Sequence, residues 1–380
     1  MKLKRFIKHL KNLSVHTVIG IPDSQLKVFC DYMNHEGRDT FTHIVPANEG
    51  AAAAIAAGSY LATGQPACVY MQNSGIGNAL NPIASLLHKD VYEIPMLFLV
   101  GYRGEPGVID EPQHIFQGSI TCPLFDVLEI PHATIGKDTT DEQLDMIFRE
   151  AGKTLCLNHP YAMIVEKNTF EKEVSYPYQN EYLLLREKAI QIILRQIDHE
   201  TVIVSTTGKI SREVYEQAKA LGLDAGQCFL TVGSMGHASM IAYGIAIQKP
   251  NHRVICLDGD GAALMHMGAL DFLGTNKPSN LIHIILNNQA HESVGGMPIG
   301  APDTDWAGIA AACGYPRVRR IQEERELELY LHELLHQLNP TLSLVEIQVA
   351  LGSRVDLGRP KETPIENKLR FMEKLKGQRL

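Results

Sequence analysis

Short apolar runs alternate with helical patterns along the whole chain. In the first half, His16-Thr17-Val18-Ile19-Gly20 predicts a strand with a helix from about Asp23, and Thr42-His43-Ile44-Val45 a strand with a helix over 50–61. Ala67-Cys68-Val69-Tyr70-Met71 and Met96-Leu97-Phe98-Leu99-Val100 predict two more strands. The runs are continuous instead of alternating, the pattern of parallel strands covered on both faces by crossover helices. After a polar, Tyr- and Pro-containing connection over 171–181, further strands are expected at Thr201-Val202-Ile203-Val204, Val254-Ile255-Cys256-Leu257, Ile282-His283-Ile284-Ile285-Leu286 and Leu342-Ser343-Leu344-Val345-Glu346-Ile347. The expected fold class is α/β, as two doubly wound parallel-sheet domains over 1–175 and 182–380, the second ending in a basic helical tail near 365–376. The halves could share a fold without visible sequence similarity.

With 380 residues, the chain is long enough for two cores. Its 45% hydrophobic and 21% charged residues argue against disorder and coiled coil, and a net charge of -8 argues against nucleic acid and anionic membrane as partners. The seven cysteines are scattered without a CxxC, which suggests neither a disulfide framework nor a zinc site and points to a reducing, cytoplasmic setting. The start, Met1-Lys2-Leu3-Lys4-Arg5-Phe6-Ile7-Lys8, has the spacing of an amphipathic helix and lacks the apolar run of a signal peptide. No stretch approaches the roughly 18 to 20 apolar residues of a spanning helix.

The most informative segment is Leu257-Asp258-Gly259-Asp260-Gly261-Ala262, where a strand ends and a helix begins. Ligands of open α/β sheets bind there. Its small residues would let backbone amides approach a phosphate, and Asp260 could hold a divalent cation bridging phosphate oxygens. One strand-helix-strand unit later comes Leu286-Asn287-Asn288-Gln289-Ala290. An Asp, an Asn carboxamide and a backbone carbonyl beyond the Asn would give three oxygens for an octahedral Mg²⁺ that also binds diphosphate. Taken alone, Asp258 to Gly261 is equally compatible with a polar turn.

The Gly259-Asp260-Gly261 and Asn287-Asn288 pair resembles the cofactor motif of the thiamine-diphosphate-dependent decarboxylases. That resemblance implies a thiamine-diphosphate-binding fold, with Asp260, the Asn288 side chain and the Ala290 carbonyl as Mg²⁺ ligands. Thiamine chemistry also needs a carboxyl that activates the pyrimidine ring, placed where desolvation raises its pKa. In Val45-Pro46-Ala47-Asn48-Glu49-Gly50-Ala51, Glu49 follows a strand and opens an Ala-rich helix with little polar company, and it is similar to the activating glutamate of the family. A carboxylate favoured by the helix dipole is the plainer alternative. Gly233-Ser234-Met235-Gly236 resembles the segment beneath the cofactor, with Met235 as the apolar wedge and the Gly233 carbonyl as acceptor for the cofactor's amino group; an ordinary core methionine is the alternative.

Larger members carry a third domain between the two cofactor-binding ones, for which this chain has no room. Gly20-Ile21-Pro22-Asp23-Ser24, Gln72-Asn73-Ser74-Gly75, Arg103-Gly104-Glu105-Pro106-Gly107, Asp110-Glu111-Pro112-Gln113-His114 and Ala290-His291-Glu292-Ser293-Val294-Gly295-Gly296 resemble, in the same order, the branch that decarboxylates 3-phosphonopyruvate to phosphonoacetaldehyde and CO₂. A doubly charged phosphonate calls for charge-assisted donors. Candidates are Arg103, Lys209, Arg212, His114, His237 and His291. Plain alternatives stand beside these: Arg103 could pair with Glu105 at the surface, Arg212 could be solvated, His114 could cap its loop, and His237 and His291 could be core histidines; Asp23 and Ser24 could likewise cap a helix. Asp23 and His114 are also candidate acids or proton shuttles, and Ser24 a substrate contact. Because Glu49 and Asp260 fall in different domains, the resemblance implies a homodimer at least, with active sites between subunits. A sulfopyruvate-decarboxylating enzyme is the near alternative, and a non-catalytic thiamine- or nucleotide-binding protein the distant one. A Rossmann oxidoreductase is disfavoured because no GxGxxG follows the first strand of either half.

Overall fold

The computed structural model describes residues 1–171 and 176–376. The chain divides into two compact units, Met1–Pro177 and Tyr178–Leu380. The connection expected over 171–181 includes residues 172–175, which lie outside the described residues.

The first unit holds a six-stranded sheet of β1 (Thr17–Gly20), β2 (Thr42–Ile44), β3 (Ala67–Gln72), β4 (Met96–Gly101), β5 (His132–Ile135) and β6 (Tyr161–Val165). Its order is β2-β1-β3-β4-β6-β5 and every pairing is parallel. The second unit holds β7 (Val202–Ser205), β8 (Cys228–Leu230), β9 (Val254–Gly259), β10 (Leu281–Asn287), β13 (Arg317–Ile321) and β14 (Ser343–Gln348), with a short antiparallel pair β11 (Ala290–His291) and β12 (Met297–Pro298). Its main sheet runs β8-β7-β9-β10-β14-β13, again all parallel. Counted within each unit, both sheets have the same strand order. The duplication invisible in the sequence is therefore present in the topology.

The central strands are buried on both faces, β3 almost throughout, β4 and β10 at every residue, which is why their sequences are continuously apolar. Helices cover each face. The helix expected over 50–61 spans Glu49–Thr63, and the tail helix spans Pro364–Lys376. The amphipathic start forms Leu3–Asn12, burying Leu3, Phe6, Ile7 and Leu10. One boundary differs: the helix expected from about Asp23 begins at Lys27, because the Asp23 carboxylate accepts from the amides of Gln25 and Leu26 and closes a turn first. Among the described residues no helix is long and apolar enough to cross a membrane, and all seven cysteines are free.

Candidate active site

In the first unit the predicted residues gather beyond the carboxyl ends of β1 to β4. Asn48 caps the helix Glu49–Thr63, its Oδ1 accepting from the Ala51 amide at 2.9 Å. This places Glu49 in the first turn, buried, with burial raising its pKa above the usual 4.5. The little polar company that the sequence suggested includes Asn78, whose Nδ2 donates to Glu49 Oε2 at 2.7 Å and opposes the shift. Gly75 lies against this carboxylate, and a Cβ there would overlap it.

Asp23 is fully buried. Its Oδ1 accepts from Gln72 Nε2 at 2.5 Å and its Oδ2 from the Gln25 amide at 2.7 Å. Burial nevertheless raises its pKa, against the lowering pull of Gln72 and the positive charge of Arg103. Arg103 Nη1 lies 3.3 Å from Ser24 Oγ, while its Nε and Nη2 donate to Asp110 at 2.7 and 2.5 Å. Arg103 is thus held by Asp110 and not by Glu105. His114 is half-buried with Nδ1 unpartnered, and burial, then Arg103, lowers its pKa to about 4. It is neutral near pH 7, which removes it from the charge-assisted donors expected above and leaves it a neutral donor or acceptor.

In the second unit an open cleft lies at the ends of β7, β9 and β10. Lys209, Met235, Gly259, Asp260, Gly261, Ala262, Asn288, Ala290 and His291 all line it, as do Arg186 and Glu292. Asp260 opens the helix Asp260–Met265, buried, with Oδ2 unpartnered; burial raises its pKa to about 7. Asn288 Nδ2 donates to Glu292 Oε2 at 2.8 Å, and Asn288 Oδ1 accepts from the Ala290 amide at 3.2 Å. Gln289 between them has φ of +61°, the bend that carries Ala290 back toward the cleft. A Cβ on Gly261 would stand 3.2 Å from His291 Nδ1, so the small residue keeps this wall open. His291 is buried with Nε2 unpartnered and its pKa lowered to about 4 by burial, so it too is a neutral group.

Gly233 is tied by its amide to Thr207 Oγ1 at 3.1 Å, and Thr207 lines the cleft. Gly236 has φ of +87°, and a Cβ there would come within 2.6 Å of the His266 ring, so this turn requires glycine. His237 is exposed, with Nδ1 3.2 Å from the Met235 carbonyl oxygen. Lys209 and Arg212 open the helix Lys209–Ala220 as expected, but Lys209 Nζ already has a partner, Glu292 Oε1 at 3.2 Å.

Sequence reasoning missed Asn78, Arg186 and Glu213, charged or polar groups on helices that read as ordinary exposed faces. It also passed over Asp258 and His283, which face each other at 3.5 Å inside the sheet beside Cys256. Their signal was available: each is a polar residue within an otherwise apolar strand.

Residues 3–124 match the thiamine pyrophosphate enzyme N-terminal TPP binding domain, and residues 206–347 the corresponding C-terminal TPP binding domain. The chain is 36% identical to a phosphonopyruvate decarboxylase of Streptomyces viridochromogenes, over 95% of this chain and 92% of that protein. Two chains of Methanocaldococcus jannaschii each match about half of it: the sulfopyruvate decarboxylase subunit beta, 31% identical over 49% of this chain and 95% of its own, and the subunit alpha, 30% identical over 43% and 93%. With both halves of the sheet duplication matched and a relative aligned nearly end to end, the chain belongs to the thiamine pyrophosphate enzyme family, in the group of the phosphonopyruvate decarboxylases.

Proposed function

We propose that the protein decarboxylates 3-phosphonopyruvate non-oxidatively to phosphonoacetaldehyde and CO₂, with thiamine diphosphate and Mg²⁺ as cofactors. The observation that carries the cofactor reading is the buried, unpartnered Asp260 Oδ2 in the same cleft lining as Asn288, at the ends of adjacent strands. A buried carboxylate oxygen without a partner is costly, and a divalent cation removes that cost. Asp260, Asn288 and the Ala290 carbonyl would hold the metal, with Gly259, Gly261 and Ala262 leaving room for the diphosphate. The near full-length similarity to the Streptomyces enzyme supports the substrate.

When bound, thiamine diphosphate supplies the nucleophilic carbon and the electron sink for CO₂ loss. The chain's own residues supply position and protons. Glu49 holds a proton or a hydrogen bond at its carboxyl, with Oε2 fixed by Asn78, and its raised pKa brings it toward the working range. Asp23, also raised, is a candidate proton donor close to Arg103 and Ser24. Arg103 offers the positive charge for the phosphonate, pre-oriented by Asp110, while neutral His114 and His291 offer uncharged hydrogen bonds and the exposed His237 is a further substrate contact. Met235 shapes the cleft wall from the segment fixed by Gly233.

Because Glu49 and Asp260 lie in different units, we propose that each complete site uses the two halves of different copies in a homodimer or larger homo-oligomer. The natural split of the sulfopyruvate decarboxylase into alpha and beta chains, each similar to about half of this one, supports halves that work by association. The same relatives favour sulfopyruvate as a second substrate. Steady-state kcat/KM for both compounds tests the choice: a higher value for phosphonopyruvate is expected, and a higher value for sulfopyruvate overturns it.

A further inference from the structure

The second-unit cleft contains a charge network that the proposed chemistry does not use. Arg186, 3% exposed at the start of the helix Arg186–Gln196, donates Nε and Nη2 to the two oxygens of Glu213, each at 2.7 Å. Its Nη1 donates to Glu292 Oε2, and its Nη2 reaches Glu292 Oε1 at 3.3 Å. Lys209 Nζ adds a second cation to Glu292. Glu213 is 1% exposed and Glu292 8%. Apolar residues of similar volume usually stabilise a fold as well as such a buried network, so stability alone does not account for it. What the network touches does.

Glu292 Oε2 also accepts from Asn288 Nδ2. The two ends of an Asn amide are nearly isosteric, so their hydrogen-bond partners decide which end faces a ligand. A carboxylate paired with two cations only accepts. Opposite it, the amide must turn Nδ2 toward Glu292 and Oδ1 away, because the reversed amide would set oxygen against oxygen. Oδ1 then accepts one amide, from Ala290, and keeps a second lone pair free for another partner.

The geometry points to Glu292 as a positioning residue that fixes the Asn288 amide with its oxygen presented to the divalent cation, itself held by Lys209 and by Arg186 anchored on Glu213. This inference rests on the reading of Asp260 and Asn288 as metal-binding groups. It also reassigns Lys209 from the substrate to the metal's surroundings.

The test is calorimetric titration of Mg²⁺ into the full chain with thiamine diphosphate present, alongside kcat at saturating Mg²⁺. Glu292→Gln is expected to weaken Mg²⁺ binding about 10- to 100-fold, the usual loss when a group orienting a metal ligand is removed. Its kcat at saturating Mg²⁺ falls by a smaller factor than its Mg²⁺ affinity, since the reacting groups are untouched. In an Asn288→Ala background the same change has no further effect on affinity, because it acts through Asn288. Unchanged affinity in Glu292→Gln, or an equal loss with Asn288 already gone, overturns the proposal. Arg186→Lys, which keeps the charge but loses the fork, is expected to weaken Mg²⁺ by a smaller factor, and unchanged affinity there counts against it. Unchanged affinity in Asp260→Ala is a different failure: it removes the metal reading itself and the inference with it.

Discussion

Glu49→Gln separates the activating role of Glu49 from its packing. The substitution keeps shape, and Asn78 Nδ2 can still donate to the new amide oxygen at the position where it meets Glu49 Oε2 at 2.7 Å. Only the titratable proton is lost. Burial holds the folded carboxyl's pKa above the ordinary 4.5. Above pH 4.5 the unfolded chain releases a proton that the folded chain keeps, so this group's stabilising contribution is complete below that pH and falls as pH rises to the folded pKa. The decline approaches about 1.4 kcal/mol per pH unit within the window and stops above it. Glutamine has no such titration. Unfolding by urea, without cofactor, from about pH 4 to about pH 8 should show the variant gaining stability relative to wild type across the window and then levelling off. Activity should drop about 100- to 10,000-fold, the range for loss of a positioned acid-base group, while calorimetric binding of thiamine diphosphate with Mg²⁺ persists. A stability difference flat in pH, or turnover near that of wild type, would refute the reasoning.

Three other outcomes follow from the geometry. Asp260→Ala should abolish Mg²⁺-dependent cofactor retention yet spare the cofactor-free fold: wild-type stability from this carboxyl falls between pH 3.8 and about pH 7, so the variant gains stability relative to wild type across that range, as melting curves would show. Asn78→Ala removes the hydrogen bond that lowers the Glu49 pKa and should extend the window described above to higher pH, read from the same urea series. Gly75→Ala drives a methyl into the Glu49 carboxylate; it should cost roughly 1 to 3 kcal/mol or displace Glu49, with activity falling more than Mg²⁺ affinity, which belongs to the other unit.

The fold was legible where burial on both faces wrote itself into the chain. β3, β4, β9 and β10 are continuous apolar runs and emerged close to their observed bounds. Of the four edge strands β2 was expected, but the other three were not legible, for the opposite reason: β13 reads Arg317-Val318-Arg319-Arg320-Ile321, two of its five residues exposed, β5 buries only Ile135, and β8 is three residues long. Tyr161–Val165 was missed although it is as apolar and buried as the central strands. In the site, Asp260 and Asn288 stood out because polar residues at the ends of apolar strands have few structural uses. Arg186, Glu213 and Asn78 did not, because their partners lie tens of residues away and a charged helix residue resembles a solvated one until its neighbours are known. Lys209 and His114 were found but their environments were not: one is paired with Glu292, the other neutral.

The most direct measurement is a crystal structure grown with thiamine diphosphate and Mg²⁺. The account predicts the metal on Asp260, the Asn288 side-chain oxygen and the Ala290 carbonyl, and the pyrimidine ring hydrogen-bonded to Glu49 of a second copy of the chain. A cofactor bound elsewhere, or one that meets Asp260 while every Glu49 in the assembly lies out of its reach, would contradict it.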